Sequence, residues 1–298
     1  MSDWVNMNWD DLKIFLTLAR TCRLSEAGKR LKIDHSTVSR RVKALEHSTS
    51  TVLFDRQPTG YTLTAAGQEL LEYATKMEAI VLQAENNVGQ QSERITGPVR
   101  VAAPDSIATF AIAGAAQKLC ETFPYLQVEI LANSQRYSLS KREADFMISV
   151  SRPKTGRLKI QKITDVALHL YASEDFVARS PKFNTIYDLK KVRGIAYVQD
   201  LIPSEEFDYV PMLRPDFCAH LTSTSVHLQA EAISNGAGVG VMHDFMAKNY
   251  PNLVRILPEE FTLTKTLWGV VHEDYADITR IKTVSRTIIE HIQNNLND

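Results

Sequence analysis

No stretch of the 298-residue sequence comes near the roughly 18 to 20 consecutive apolar residues that cross a bilayer. The first ten residues, MSDWVNMNWD, have neither a basic region nor an apolar core, so an export signal is not expected. Together these absences give the expectation of a cytoplasmic protein without a membrane partner. Cysteine is scarce: Cys22, Cys120 and Cys218 are odd in number and far apart, which fits neither a disulfide framework nor a CxxC metal site. Reduced, buried thiols are expected, because free cysteine is usually buried. Excess charge is missing too, and a formal net charge of -1 names no partner by itself. The sequence is 44% hydrophobic and 23% charged, ordinary for folded soluble proteins, and its length points to two or more domains.

Charge is present, but it is local. Between Arg23 and Arg56, the bases Arg23, Lys29, Arg30, Lys32, Arg40, Arg41, Lys43 and Arg56 stand against four acids. An excess confined to one region is what a domain docking on phosphates needs.

The segment WDDLKIFLTLAR places Leu12, Phe15, Leu16 and Ala19 at helical spacing behind Asp10 and Asp11, which predicts a first helix. Ser25 is a candidate N-cap for a short helix through Leu31, and Asp34 or His35 starts another through about Glu46. Two short helices across the tight KID turn predict a helix-turn-helix. On the second, Val38, Val42 and Leu45 face inward, leaving Ser36, Thr37, Ser39, Arg40 and Lys43 to project elsewhere. LFDR, a Pro-Thr-Gly turn and YTLT then predict a hairpin wing. From Thr64 runs a long amphipathic helix, with Leu70, Ala74, Met77, Val81, Ala84 and Val88 in alternating steps of four and three. At roughly 24 residues it would span about 36 Å, and a stripe this long is expected to bury itself against a second copy of the chain.

Residues 9 to 75 resemble the winged helix-turn-helix of the LysR-type transcriptional regulators through LKIFLTLA, SEAGKRL, DHSTVSRRVKALE, LFDR and YTLTAAGQELLEYA. The resemblance implies contacts to double-stranded DNA from His35, Ser36, Ser39, Arg40 and the wing residue Arg56. The residue types agree: Arg40 can be bidentate to guanine or pair with phosphate, and the serines can bond either. For His35, base reading and phosphate donation both stay open. The sequence departs from the family pattern at His35-Ser36 (commonly Gln-Pro), Arg41 (commonly Gln), Gly28 (commonly Ala) and Thr49-Ser50 (commonly Leu-Gly). The last exchange removes an apolar anchor and predicts looser packing there.

Beyond RITGPVRVAAP, strand-like and helix-like segments alternate, predicting an α/β domain with mostly parallel sheet. The expected helices include one over about Ala108 to Phe123 and a short one before Asp145. Ala144-Asp145 ahead of FMISV and the element AISNGAGVGVM resemble the effector-binding half of the same family. The expected class is therefore α/β, with an α-rich N-terminal winged helix-turn-helix and a two-lobed effector domain like the periplasmic sugar-binding proteins. The expected domains are 1-63 for DNA binding, 64-96 for the linker and dimerisation helix, and 97-298 for effector binding. Family architecture would give lobe one 97-164 with 267-298, and lobe two 165-266. A homodimer through the linker helix, assembling further to a homotetramer, is what the resemblance implies.

Open α/β sheets bind ligands at strand carboxyl ends, which makes Pro104, Asp105 and Ser106 candidates after VRVAA, and Ser223, Thr224 and Ser225 candidates after FCAHL. Arg152 and Gln199 would face the same cleft if the family layout holds. Helix starts with free N–H groups and hydroxyls suit a carboxylate or other anion; Asp105 argues mildly against that, or for an effector carrying an amine or hydroxyl. No catalytic set is assembled: GAGVG follows a helix and precedes a strand, the reverse of a dinucleotide loop, so Gly236 reads as a helix cap. His243 and His272 lack a second ligand pair at helical spacing. Cofactor and metal are expected to be none, and the function a DNA-binding regulator answering a small-molecule effector. Alternatives are a ligand-independent repressor and, behind it, an enzyme using the two-lobed domain.

Overall fold

The computed structural model describes residues 7–89, 95–132, 137–139, 142–182, 184–202, 205–213 and 217–296. They form two compact units, the first made of Met1–Arg94 with Ser138–Glu143 and Glu273–Thr279, the second of the remainder.

In the first unit, α1 (Trp9–Thr21) starts at Asn8, whose side chain accepts from the Asp10 amide. Leu12, Phe15, Leu16 and Leu18 of α1 are buried. Helix α2 (Leu24–Leu31) begins one residue before Ser25, at an extended Arg23 that offers no side-chain cap; the Arg23 carbonyl accepts from Ala27 instead, so Ser25 is not the cap. The turn to α3 (His35–Ser48) closes tightly, with the Ile33 amide on the Gly28 carbonyl at 3.0 Å. A Cβ on Gly28 would lie 2.7 Å from the Ile33 oxygen, which is why glycine stands there. Asp34 caps α3 by accepting from the Ser36 amide at 2.7 Å, and hydrogen bonding to Ser36 holds its carboxyl below the ordinary range.

Packing beyond α3 does not loosen as predicted. Thr49 Oγ1 donates to the Leu45 carbonyl, Ser50 takes the left-handed conformation, and Glu46 Oε1 accepts from the Leu53 and Phe54 amides. Leu53 itself supplies the buried anchor. The wing pairs β1 (Phe54–Gln57) with β2 (Gly60–Leu63) antiparallel. It is pinned to the body where the Tyr61 amide donates to the Cys22 carbonyl at 2.8 Å. Gly60 has φ +142°, and a Cβ there would meet the Cys22 oxygen at 2.4 Å. Gly60→Ala should therefore cost roughly 2 kcal/mol of stability in a denaturant titration; an unchanged midpoint would remove the wing pin.

Helix α4 (Ala65–Gly89) is capped by Thr64, whose hydroxyl accepts from the Gly67 amide. Its stripe is shared rather than wholly exported. Ala74 is buried, and Leu70 and Met77 pack on the chain's own helical core, whereas Val81 and Ala84 are exposed. The Val88 side chain lies outside the described residues.

In the second unit, β3 (Gly97–Ala103) leads into α5 (Asp105–Ile107), a π-helical stretch (Ala108–Ile112) and α6 (Ala113–Thr122). There follow β4 (Leu126–Ala132), β5 (Phe146–Ser149), β6 (Leu158–Ser173), α7 (Glu174–Arg179), β7 (Gly194–Ala196) and α8 (Val210–Leu213). Then come β8 (Ala219–Thr222), α9 (Val226–Ser234), β9 (Val239–His243), α10 (Asp244–Ala247), β10 (Leu253–Ile256), β11 (Thr262–His272) and α11 (Thr279–Leu296). No helix precedes Asp145 among the described residues; Leu139 and Arg142 sit in turns.

The strands join in the order β4-β3-β5-β11-β6-β9-β7-β8, with β10 beside β6. Parallel pairs lie toward both ends (β3 with β4 and β5, β7 with β8 and β9), but every pairing of β6 and β11 is antiparallel. The mostly parallel expectation fails in the middle, because a chain that leaves one strand group and later returns must run the opposite way. Ile163 is the extra residue of a bulge opposite Leu267 and Trp268, and Gln293 donates to its carbonyl at 2.9 Å.

The thiols also depart from expectation: Cys120 and Cys218 are exposed and Cys22 half-buried. On α6 the buried position is Leu119, so its neighbour Cys120 points outward.

Candidate nucleic-acid interface and effector cleft

Helix α3 packs through Val38, Val42 and Leu45. This leaves His35, Ser36, Arg40 and Lys43 exposed, with Thr37 and Ser39 half-buried beside them. Arg56 is exposed on the wing, its guanidinium 5.8 Å from the Tyr61 ring centre. Arg41 turns the other way, pairing with the buried Asp11 of α1. One residue apart, Arg40 and Arg41 therefore divide between solvent and structure. No pattern of residue types foretold the Asp11 partnership, since a carboxylate at a helix start reads as a dipole match.

At the middle of α4, Glu78 accepts from Arg20 at 2.7 and 3.1 Å and from the Tyr275 hydroxyl at 2.7 Å, and pairs with Arg142 at 2.9 Å. The Arg142 guanidinium lies 4.8 Å from the Tyr275 ring centre. Burial alone would push the Glu78 carboxyl up, but both arginines and the phenol outweigh it and hold it at about 2. Sequence reading missed this cluster, whose members are spread from α1 to the segment after β11. Beside it a groove of 440 Å³ runs between α1 and α4, lined among others by Trp9, Leu12, Leu16, Met77, Val81 and Leu82.

The candidate effector residues separate. Asp105 meets His227 of α9 at 3.3 Å, and Thr109 Oγ1 and the Phe110 ring also face that imidazole. Gln199 donates to Asp208 at 2.7 Å, and the half-buried Tyr197 and Tyr209 line the same small cavity as Asp208. Ser223 and Ser225 are occupied in capping, Ser223 Oγ accepting from the Ser225 amide and Ser225 Oγ from Leu228. Thr224 is exposed, Ser106 is buried, and the Pro104 carbonyl accepts from Ala108. Arg152 lies over the Trp268 ring, 5.4 Å from its centre, and does not line the cavity at Tyr197. His227, Tyr197, Asp208 and Tyr209 were not foreseen, because no local motif marks them.

Gly236, at φ +74°, follows α9 as a helix cap. Burial pulls the His243 imidazole down to about 4, leaving it neutral at ordinary pH. Among the described residues no group of three possible metal ligands gathers.

Residues 9–68 match the bacterial regulatory helix-turn-helix protein, lysR family, and residues 92–293 match the LysR substrate binding domain. The Mau operon transcriptional activator of Paracoccus denitrificans is 24% identical over 272 residues, 88% of each chain. The HTH-type transcriptional regulator HdfR of Yersinia pestis (strain Pestoides F) is 27% identical over 270 residues, 89% of this chain and 90% of its own. Among solved structures, ArgP from Mycobacterium tuberculosis superposes with TM-score 0.67 at 20% identity, covering 94% of this chain and 96% of its own. LysG from Corynebacterium glutamicum, with bound effector Arg, gives TM-score 0.66 at 18% identity, covering 95% and 99%. These two likenesses bear on the fold. With both halves of the sequence matched, the chain belongs to the LysR family of bacterial helix-turn-helix regulators, DNA-binding transcriptional regulators with a two-lobed effector-binding domain.

Proposed function

We propose that the chain reads its operator as a dimer, through His35, Ser36, Thr37, Ser39, Arg40 and Lys43 of α3, with Arg56 of the wing on phosphate. The observation that carries this reading is the division of α3: Arg40 and Lys43 are free at the surface while Arg41 is held by Asp11. Charged and hydroxyl side chains at a helix surface are the groups that meet phosphates and base edges. An effector would sit between lobe one (97–164 with 267–298) and lobe two (165–266), near Asp105 and Gln199, and favour one arrangement of the oligomer. This reading has the chain work as a regulator without catalysis, in the cytoplasm. No described helix is long and apolar enough to cross a membrane.

The test is recovery of genomic DNA by the purified full-length chain at two salt concentrations. A shared imperfect dyad, weakened by salt, is the expected result; salt-sensitive binding without a common motif would overturn sequence-specific regulation.

The dimer reading is supported by the groove beside α4 with exposed Trp9 and Val81 along it, and by exposed Ile80 elsewhere on α4, apolar surface that a second linker helix would cover. Val81→Glu should raise the dimer dissociation constant at least tenfold in sedimentation; an unmoved equilibrium would place the interface elsewhere.

A further inference from the structure

We infer that the effector of this chain carries an ammonium group, and that Asp208, with Asp105 nearby, receives that group. The inference rests on the effector reading above and narrows it to a chemical class.

Beside the carboxyl end of β7 lies a cavity of about 20 Å³, walled by apolar side chains including Ile195, Val210 and Leu213, and lined also by Tyr197, Asp208 and Tyr209. That is room for one water or one ammonium group, with the body of a ligand left outside. Asp208 is half satisfied: Oδ2 accepts from Gln199, while Oδ1 is buried and has no partner. A buried carboxylate oxygen left unpaired is costly, and a charged donor is the group that offsets it best. The neighbouring phenols are neutral, since burial pushes both Tyr197 and Tyr209 above their ordinary range, and each can accept from a donor head group.

Charge around the cavity points the same way. Asp105 is close enough to raise the Tyr197 phenol further, so a second carboxylate lies on this side, where it meets His227 at 3.3 Å. Arg152 is stacked on Trp268, whereas Lys265 reaches the Tyr209 ring that lines the cavity, 5.9 Å from its centre, and sets one cation against the two carboxylates. A carboxylate ligand would meet Asp208 and Asp105 as like charges, whereas an amine meets them as opposite ones.

The experiment measures melting temperature and operator binding of the full chain against matched probes. The amines are 2-phenylethylamine and 1,4-diaminobutane; their carboxylate counterparts are 3-phenylpropionate and adipate. At least one amine should raise the melting temperature saturably, with affinity at least tenfold weaker in Asp208→Asn; Asp105→Asn serves if that variant does not melt cooperatively. Stabilisation by the carboxylates instead, an amine effect unchanged in both variants, or no shift with any probe would overturn the inference. A carboxylate that alters operator binding would keep the effector reading and sink only the amine class. Failure to select any operator would sink the reading itself.

Discussion

Replacing Arg40 with Ala should weaken operator binding roughly 10- to 100-fold and relax preference at one base position, as loss of a bidentate guanine contact does. If Arg40 instead serves phosphate, affinity falls for every sequence alike and the salt slope drops by about one. Titrations of operator and scrambled DNA at several salt concentrations separate the two. An unchanged titration would remove Arg40 from the interface. The contrast with Arg41 sharpens the measurement: that residue pairs with buried Asp11, so Arg41→Ala should lower stability before it touches sequence preference. Two adjacent arginines thus give two different readouts.

Glu78→Gln should lower the stability of the unit containing α4 by roughly 2 to 4 kcal/mol, because Arg20 and Arg142 keep their positions and lose their shared counter-charge. The pH dependence has a fixed sign. The carboxyl titrates at about 2 in the fold, against 4.5 when unperturbed, so its contribution is complete above about 4.5 and is lost as pH falls from there toward 2. Denaturant midpoints between pH 7 and pH 3 should fall more steeply for the unaltered chain than for Glu78→Gln. Parallel profiles would show that the cluster contributes nothing. Tyr275→Phe, which removes one donor and no charge, should cost less than the loss of the carboxylate.

The DNA-binding unit was legible because its signals are local. Val38, Val42 and Leu45 recur at helical spacing and are buried together, Thr64 caps the helix it precedes, and the wing lies where LFDR and YTLT place it. Ser25 misled because a hydroxyl beside a helix start looks like a cap, while the extended residue was Arg23. In the second half, pairings join residues about a hundred positions apart, such as Thr266 to Asp165, and no periodicity reports which way a returning strand runs. The site suffered most. Asp105 and Gln199 were found from their places after strands, but their partners His227 and Asp208 come from a later helix and loop. Ser223 and Ser225 went to capping, the commonest use of hydroxyls at helix starts.

The long ladder from Thr262 opposite His169 to His272 opposite Leu158, broken once at Ile163, limits what the effector domain can do mechanically. Sliding β6 against β11 would break hydrogen bonds along its whole length, whereas bending at the bulge disturbs only the site where pairing is already interrupted. A ladder that resists sliding and tolerates bending at one place would pass on how far an effector bends it, and little about which effector it was; selectivity would then rest on the chemistry of the side chains that touch the ligand.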